Sequence, residues 1–180
     1  MLIANQLKDK NRAEYLLYMW QVEDLLRAYG CDFDRLRAGY LSKFDLPDEQ
    51  RRQMEQWYAD LCEMMRSEGV TERGHLQINK NTLQTLDELH RQLVRSDHFP
   101  YYRAMYYKVL PYIVEVRSRG GDKQEGELQT CFDVLYGVVL LRLQGKPVSP
   151  ETEAAVKDIS TLLGQLSDYY FKDKAEPIEF

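Results

Sequence analysis

The sequence predicts an all-α protein, an antiparallel helical bundle of about six main helices plus one short helix. Three observations carry that reading. Apolar residues recur at three- and four-residue spacing through most of the chain, the period of a helix that buries one face. No stretch alternates apolar and polar residues as a half-buried strand does. Glycines at 30, 69, 120, 121 and 145, with the start signals Asp45-Leu46-Pro47-Asp48-Glu49 and Ser149-Pro150-Glu151, cut the chain into helix-length pieces with short joints.

The first helix is read from near Asn5 to Gly30. Within Ala13 to Tyr29 the residues Tyr15, Tyr18, Met19, Val22, Leu25, Leu26 and Tyr29 fall in one wide arc, with Leu7 extending it backward. Leu16 and Trp20 lie outside the arc, and Leu17 and Ala28 form a third apolar patch. A helix that is apolar on several sides is expected to be wrapped by neighbours. Glu14 and Gln21 sit in the seam of that surface, so partial desolvation and polar partners are expected for both.

Asp32 can cap a short helix over 33–41, with Phe33, Leu36 and Tyr40 on one side. The third helix starts at the Pro47 signal, runs to Glu68 with Met54, Trp57, Tyr58, Leu61 and Met65 inward, and is closed by Gly69. Residues 70–74 form a connector. The fourth helix continues to about Ser96 on Leu83, Leu86, Leu89, His90, Leu93 and Val94, with Asn79 or Asn81 as candidate caps. Phe99-Pro100 opens the fifth, whose inner face is Tyr102, Met105, Tyr106, Val109, Tyr112, Ile113 and Val116; Pro111 in its interior predicts a kink. The sixth, 125–144, is apolar almost all round and should be central like the first. The last carries Val156, Ile159, Leu162, Leu163 and Leu166. One domain over 1–180 is expected, with 172–180 a loosely ordered tail.

A chain of 180 residues can bury ~70% of the surface its unfolded form exposes, enough for a core without staples. The balance of 24 Lys plus Arg against 29 Asp plus Glu, net −5 with interspersed signs, speaks against nucleic acid or an anionic membrane as partner. Cys31, Cys62 and Cys131 lie far apart and read as reduced thiols, not a disulfide frame or a zinc site. No export signal is recognisable at the N-terminus, and the apolar run 134–141 is far short of the ~20 residues that span a bilayer. A cytoplasmic protein is expected.

Catalytic residues, metal and cofactors are all read as none. Asp87 and His90 stand at the i, i+3 spacing of a metal-ligating helix face. A carboxylate-bridged centre needs a second such pair, and only three histidines exist, His75, His90 and His98. The glycines of Arg119-Gly120-Gly121-Asp122-Lys123-Gln124-Glu125-Gly126 fit neither a P-loop nor a dinucleotide fingerprint and read as a turn. Arg35, Arg37, Lys43, Arg51 and Arg52 interleave with Phe33, Tyr40 and Phe44, but acidic residues share the segment, so a solvated mixed-charge surface is the reading.

The 13 tyrosines are the unusual feature, since each brings apolar area and a hydroxyl that needs a partner when buried. Two functions follow. The first is a non-enzymatic interaction or structural module that self-associates as a homodimer or takes a protein partner, suggested by large apolar side chains in surplus at Trp20, Trp57, Tyr107 and Leu110. The second is a small-molecule cleft between the first and fifth helices, lined by Glu14, Tyr18, Gln21, Arg103 and Tyr106. Against the second stands a plain core reading, in which tyrosine hydroxyls satisfy Glu14, Gln21 and Glu23.

The opening segment, specifically Leu7, Lys8, Asn11, Ala13 to Trp20 and Gln21 to Asp24, resembles that of an uncharacterised family of short helical proteins from Bacteroidota classed as a domain of unknown function. The resemblance implies a bacterial cytoplasmic protein and supplies no activity, cofactor or catalytic residue.

Overall fold

The computed structural model describes residues 2–119 and 126–180, so the expected break at Gly120-Gly121 and the expected helix start at Glu125 lie outside the described residues. Among the described residues the chain is all-α. It has eight α-helices and one 3-10 turn: α1 (Leu2–Lys10), α2 (Arg12–Ala28), α3 (Phe33–Gly39), the turn Leu41–Lys43, α4 (Asp48–Ser67), α5 (Gln77–Arg95), α6 (Pro100–Ser118), α7 (Glu127–Leu143) and α8 (Pro150–Ala175). Two compact units emerge, one of residues 1–10 and 14–82, the other of residues 11–13 and 83–180.

The expected single first helix is two helices. Asn11 interrupts it, and its Oδ1 accepts the Ala13 N–H at 3.1 Å, the side-chain cap of a helix that starts afresh at Arg12. Helix α2 is the centre of the first unit. Tyr15, Met19, Val22 and Leu26 are buried in one cluster with Leu36, Leu41, Tyr58, Leu61, Cys62, Met65 and Leu76. Leu16 and Trp20, outside that arc, are buried as well. Glu14 and Gln21, by contrast, are exposed; the desolvated polar residue of this helix is Glu23, fully buried on the opposite edge of the arc.

Helix α2 ends where Gly30 (φ +68) and Cys31 (φ +53) both turn left-handed. The Cys31 N–H returns to the Leu26 carbonyl at 2.8 Å while Arg66 caps the Cys31 carbonyl at 2.8 Å, which closes the orphan groups of the helix end. Asp32 caps α3 through the Arg35 N–H at 3.0 Å, as its position predicts. A Cβ placed on Gly39 would stand 2.6 Å from the Tyr29 ring. Gly39→Ala is therefore expected to cost about 1–3 kcal/mol in urea unfolding, since the ring or the helix must shift; an unchanged midpoint would show that the ring moves freely.

In the second unit, α6 packs against α8 and α7, and α7 against α8. Tyr102, early in α6, meets Tyr169, late in α8, with ring centroids 5.8 Å apart, while Lys108 reaches Asp158 at 2.6 Å. Those pairings run in opposite senses along the two helices, so α6 and α8 are antiparallel. Helix α6 runs as one element through Pro111, which is exposed, to Ser118. Helix α7 is buried at Leu128, Cys131, Phe132, Leu135 and Val138 but opens to solvent in its last turn, where Leu143 is 73% exposed. Its first half is central; its end is not. Arg12 is anchored on α8, its N–H on Ser167 Oγ at 2.8 Å and its guanidinium on the Tyr170 hydroxyl at 2.9 Å. Helix α8 reaches Ala175, further than the expected tail allows, and beyond it the Ile178 N–H is held by Asp173 at 2.9 Å and Phe180 lies against Phe99.

No helix of the described residues is long and apolar enough to cross a membrane.

Candidate functional site

Two buried polar centres and one exposed apolar face stand out. The first centre is Glu23. One of its oxygens accepts the Leu76 N–H at 2.9 Å and the Asn79 side-chain amide at 2.6 Å; the other meets His75 Nδ1 at 2.6 Å. His75 in turn lies flat on Trp20, ring centroids 4.3 Å apart and planes 16° from parallel.

This arrangement solves a local problem of the chain. Helix α5 begins after Leu76, whose side chain cannot cap it. Neither Asn79 nor Asn81 takes that role; both lie inside the helix, Asn79 turned to Glu23 and Asn81 accepting from the Gln77 side chain at 2.8 Å. The first N–H groups are instead covered from elsewhere, Leu76 by Glu23 and Gln77 by Glu68 Oε2 at 2.6 Å. Two carboxylates at the positive end of the helix dipole also favour it electrostatically. Arg27 completes the tie, bonding the carbonyls of Val70, at 3.2 Å through Nη2, and of Gly74. The connector is thus sewn to α2 at both ends, and Arg27→Ala should raise amide exchange throughout 70–76 by roughly tenfold or more, the loss of one charge-assisted bond pair.

The second centre lies in the other unit. His90, 4% exposed, shares a 2.6 Å hydrogen bond between Nδ1 and the hydroxyl of the fully buried Tyr102. Burial lowers the His90 pKa below 6.5, against the raising influence of Glu127 and Asp87 and with a smaller lowering one from Arg91. Burial likewise pushes the Tyr102 hydroxyl far up, so it stays a protonated phenol. Beside them the Tyr106 hydroxyl donates to Glu127 at 2.9 Å, and burial followed by that bond raises its pKa to about 12. These groups border a cleft of about 300 Å³ lined by Asp87, His90, Arg91, Val94, Arg95, Tyr106, Arg117, Gly126 and Glu127.

The His90 shift has a pH consequence. The unfolded chain takes up a proton near 6.5 whereas the folded ring resists it, so protons favour the unfolded state and stability falls as pH drops below that value. Urea midpoints are expected to decline from about pH 7.5 to about pH 5, and to decline less in His90→Gln. Equal slopes in the two proteins would contradict the assignment.

The five residues expected to line one cleft divide between the units. Glu14, Tyr18 and Gln21 belong to the first and Arg103 and Tyr106 to the second. Tyr18 shares a hydrogen bond with Tyr58, and Arg103 is turned to Asp97. Tyr106 borders the cleft just described. Tyrosines do not satisfy Glu23, as the core reading expected; histidine, asparagine and a backbone N–H do. Spacing within one segment had no means of revealing such partners, which lie 52 to 56 positions away.

Among the described residues no three His, Cys, Asp or Glu side chains are grouped to hold a metal ion. The cysteines are all free and buried, and burial raises Cys62 to about 11 and Cys131 to about 12, far from the thiolate a nucleophile needs. Of the basic residues around α3, Arg35 pairs with Asp32, Arg37 with Asp34 and Arg52 with Glu49, and Arg51 donates to the Phe44 carbonyl.

The third feature is the outward side of α6. Tyr107 and Val114 are 56% and 58% exposed, Pro111 between them and Ala104 one turn before Tyr107 are exposed too, and Leu110 is half-buried at the margin. Positions 104, 107, 111 and 114 follow the helical repeat, so they form one stripe. Of the other residues expected to be in surplus, Trp20 is buried on His75 and Trp57 is half-buried.

A family model described as a domain of unknown function (DUF4924) matches residues 1–177. The chain belongs to that family. The match runs through both compact units and includes the polar centres and the stripe on α6. A putative 5'-3' exonuclease of Acanthamoeba polyphaga mimivirus is 25% identical over 106 residues, 57% of this chain and 17% of that protein. The chain therefore spans a small part of the length of that relative. No solved structure matches.

Proposed function

We propose that this member of the family is a non-enzymatic interaction module that self-associates, a second copy docking on the outward face of α6. One observation carries the reading: four successive positions of one helical stripe, Ala104, Tyr107, Pro111 and Val114, are apolar and exposed. Scattered apolar residues on a surface are ordinary, but a continuous stripe marks contact. The stripe also suits its own copy. In a two-fold antiparallel pairing each Tyr107 meets the other chain's Pro111 and each Val114 the other's Ala104, large against small at every step. The setting expected for this assembly is the bacterial cytoplasm, with neither nucleic acid nor membrane as partner. The likeness to the viral exonuclease covers too little of that protein to bring its activity here.

Size-exclusion chromatography with light scattering tests this. The expected mass is twice that of the chain at tens of micromolar, and Tyr107→Glu returns it to the single-chain mass, because a charge would be buried unpaired at the contact. A wild-type protein of single-chain mass at every concentration would refute the proposal.

A further inference from the structure

The cleft beside His90 has a chemistry of its own, independent of the stripe on α6. Its two carboxylates are already engaged, Asp87 with Arg91 and Glu127 with the Tyr106 hydroxyl. Three arginines line it, Arg91, Arg95 and Arg117. Arg117 also donates to Thr130 Oγ1 at 3.2 Å, whereas Arg95 has no carboxylate partner among the described residues. With His90 neutral, the lining carries one positive charge in excess.

The hydrogen bond between His90 and Tyr102 bears on which ring nitrogen carries the proton. A buried phenol must place its proton somewhere, and the Tyr102 hydroxyl has His90 Nδ1 at 2.6 Å. If Nδ1 accepts, the ring proton sits on Nε2. That leaves an N–H donor on a nearly fully buried residue that lines the cleft. A cationic guanidinium fork at the rim, a neutral N–H at the floor and two pre-engaged carboxylates select for a monoanion. Val94 and the Tyr106 ring supply an apolar wall, and the volume is that of a small organic molecule.

We infer that this cleft binds a small organic carboxylate, its anionic head held by Arg95 and the His90 Nε2–H and its apolar body resting on Val94 and Tyr106. A dianion such as phosphate fits less well, because the surplus is a single charge and the flanking carboxylates repel a second.

Benzoate, benzamide and inorganic phosphate, titrated separately into the full chain, test the inference by side-chain nuclear magnetic resonance. Benzoate should shift the His90 ring signals in a saturable way. Benzamide, the same shape without charge, should leave them in place, and phosphate should not saturate. Arg95→Gln, at an exposed position that leaves folding intact, should weaken benzoate roughly tenfold, the loss of one charge-assisted bond. Equal responses to benzoate and benzamide, saturation by phosphate alone, no response at all, or unchanged benzoate affinity in Arg95→Gln would each overturn it. Self-association reports separately by mass, so neither result decides the other.

Discussion

Glu23→Ala is expected to destabilise the protein by about 3–5 kcal/mol, the cost of breaking a buried charged network by removing one member. The carboxylate is wholly buried and holds three donors: His75, the Leu76 N–H and the Asn79 amide. Without it, the Leu76 N–H and the Asn79 amide stay buried with nothing in their place, and the start of α5 loses its cap. Glu23→Gln keeps the shape and an acceptor oxygen, so it should lose roughly 1–2 kcal/mol less than the alanine variant. Urea denaturation of both gives the comparison. A loss below about 1 kcal/mol for alanine would mean that water reaches the site and replaces the carboxylate.

Phe132→Ala is the second large effect, expected at about 3–5 kcal/mol in the same measurement. Phe132 is fully buried in the first half of α7, next in the chain to the buried Cys131 and with the buried Leu128 and Leu135 one turn before and after it. A cavity of that size collapses only in part within a close-packed interior. Leu143→Ala, at the exposed end of the same helix, should change the midpoint hardly at all. If both variants behaved alike, the helix would not divide into a buried half and an open end.

The all-α class, the position of most helices and most of their inner faces were legible because they depend on residues three or four apart. Pro47, Gly69, Pro100 and Ser149 mark boundaries by backbone chemistry alone, and the structure follows them. The entry to α5 was not legible, since its caps are Glu23 and Glu68, supplied by folding and not by neighbouring sequence. The same reason hid the true buried carboxylate. Glu14, Gln21 and Glu23 all border the apolar arc of α2, and only the arrival of His75 and Asn79 selects Glu23. Asn11 and Glu14 carry the spacing of a capping arrangement, yet the apolar arc continuing back through Leu7 argued for one unbroken helix; the cap prevailed. Tyr107 was legible as surplus, and the burial of Trp20 follows from a helix that is apolar on several sides, but its stacking partner was not legible, because His75 lies far along the chain.

The claim that α6 presents a face to a second copy is tested most directly by a distance between copies. Val114→Cys places a reactive thiol on the stripe, while the three native cysteines are buried and take no label. With a spin label there, double electron-electron resonance should show a narrow distribution at short distance, set by the ~8–10 Å between packed helix axes and by the ~15 Å that ten helical residues put between position 114 and the Ala104 it faces. A decay with only the background of independent molecules, in a protein labelled to completion, would contradict it.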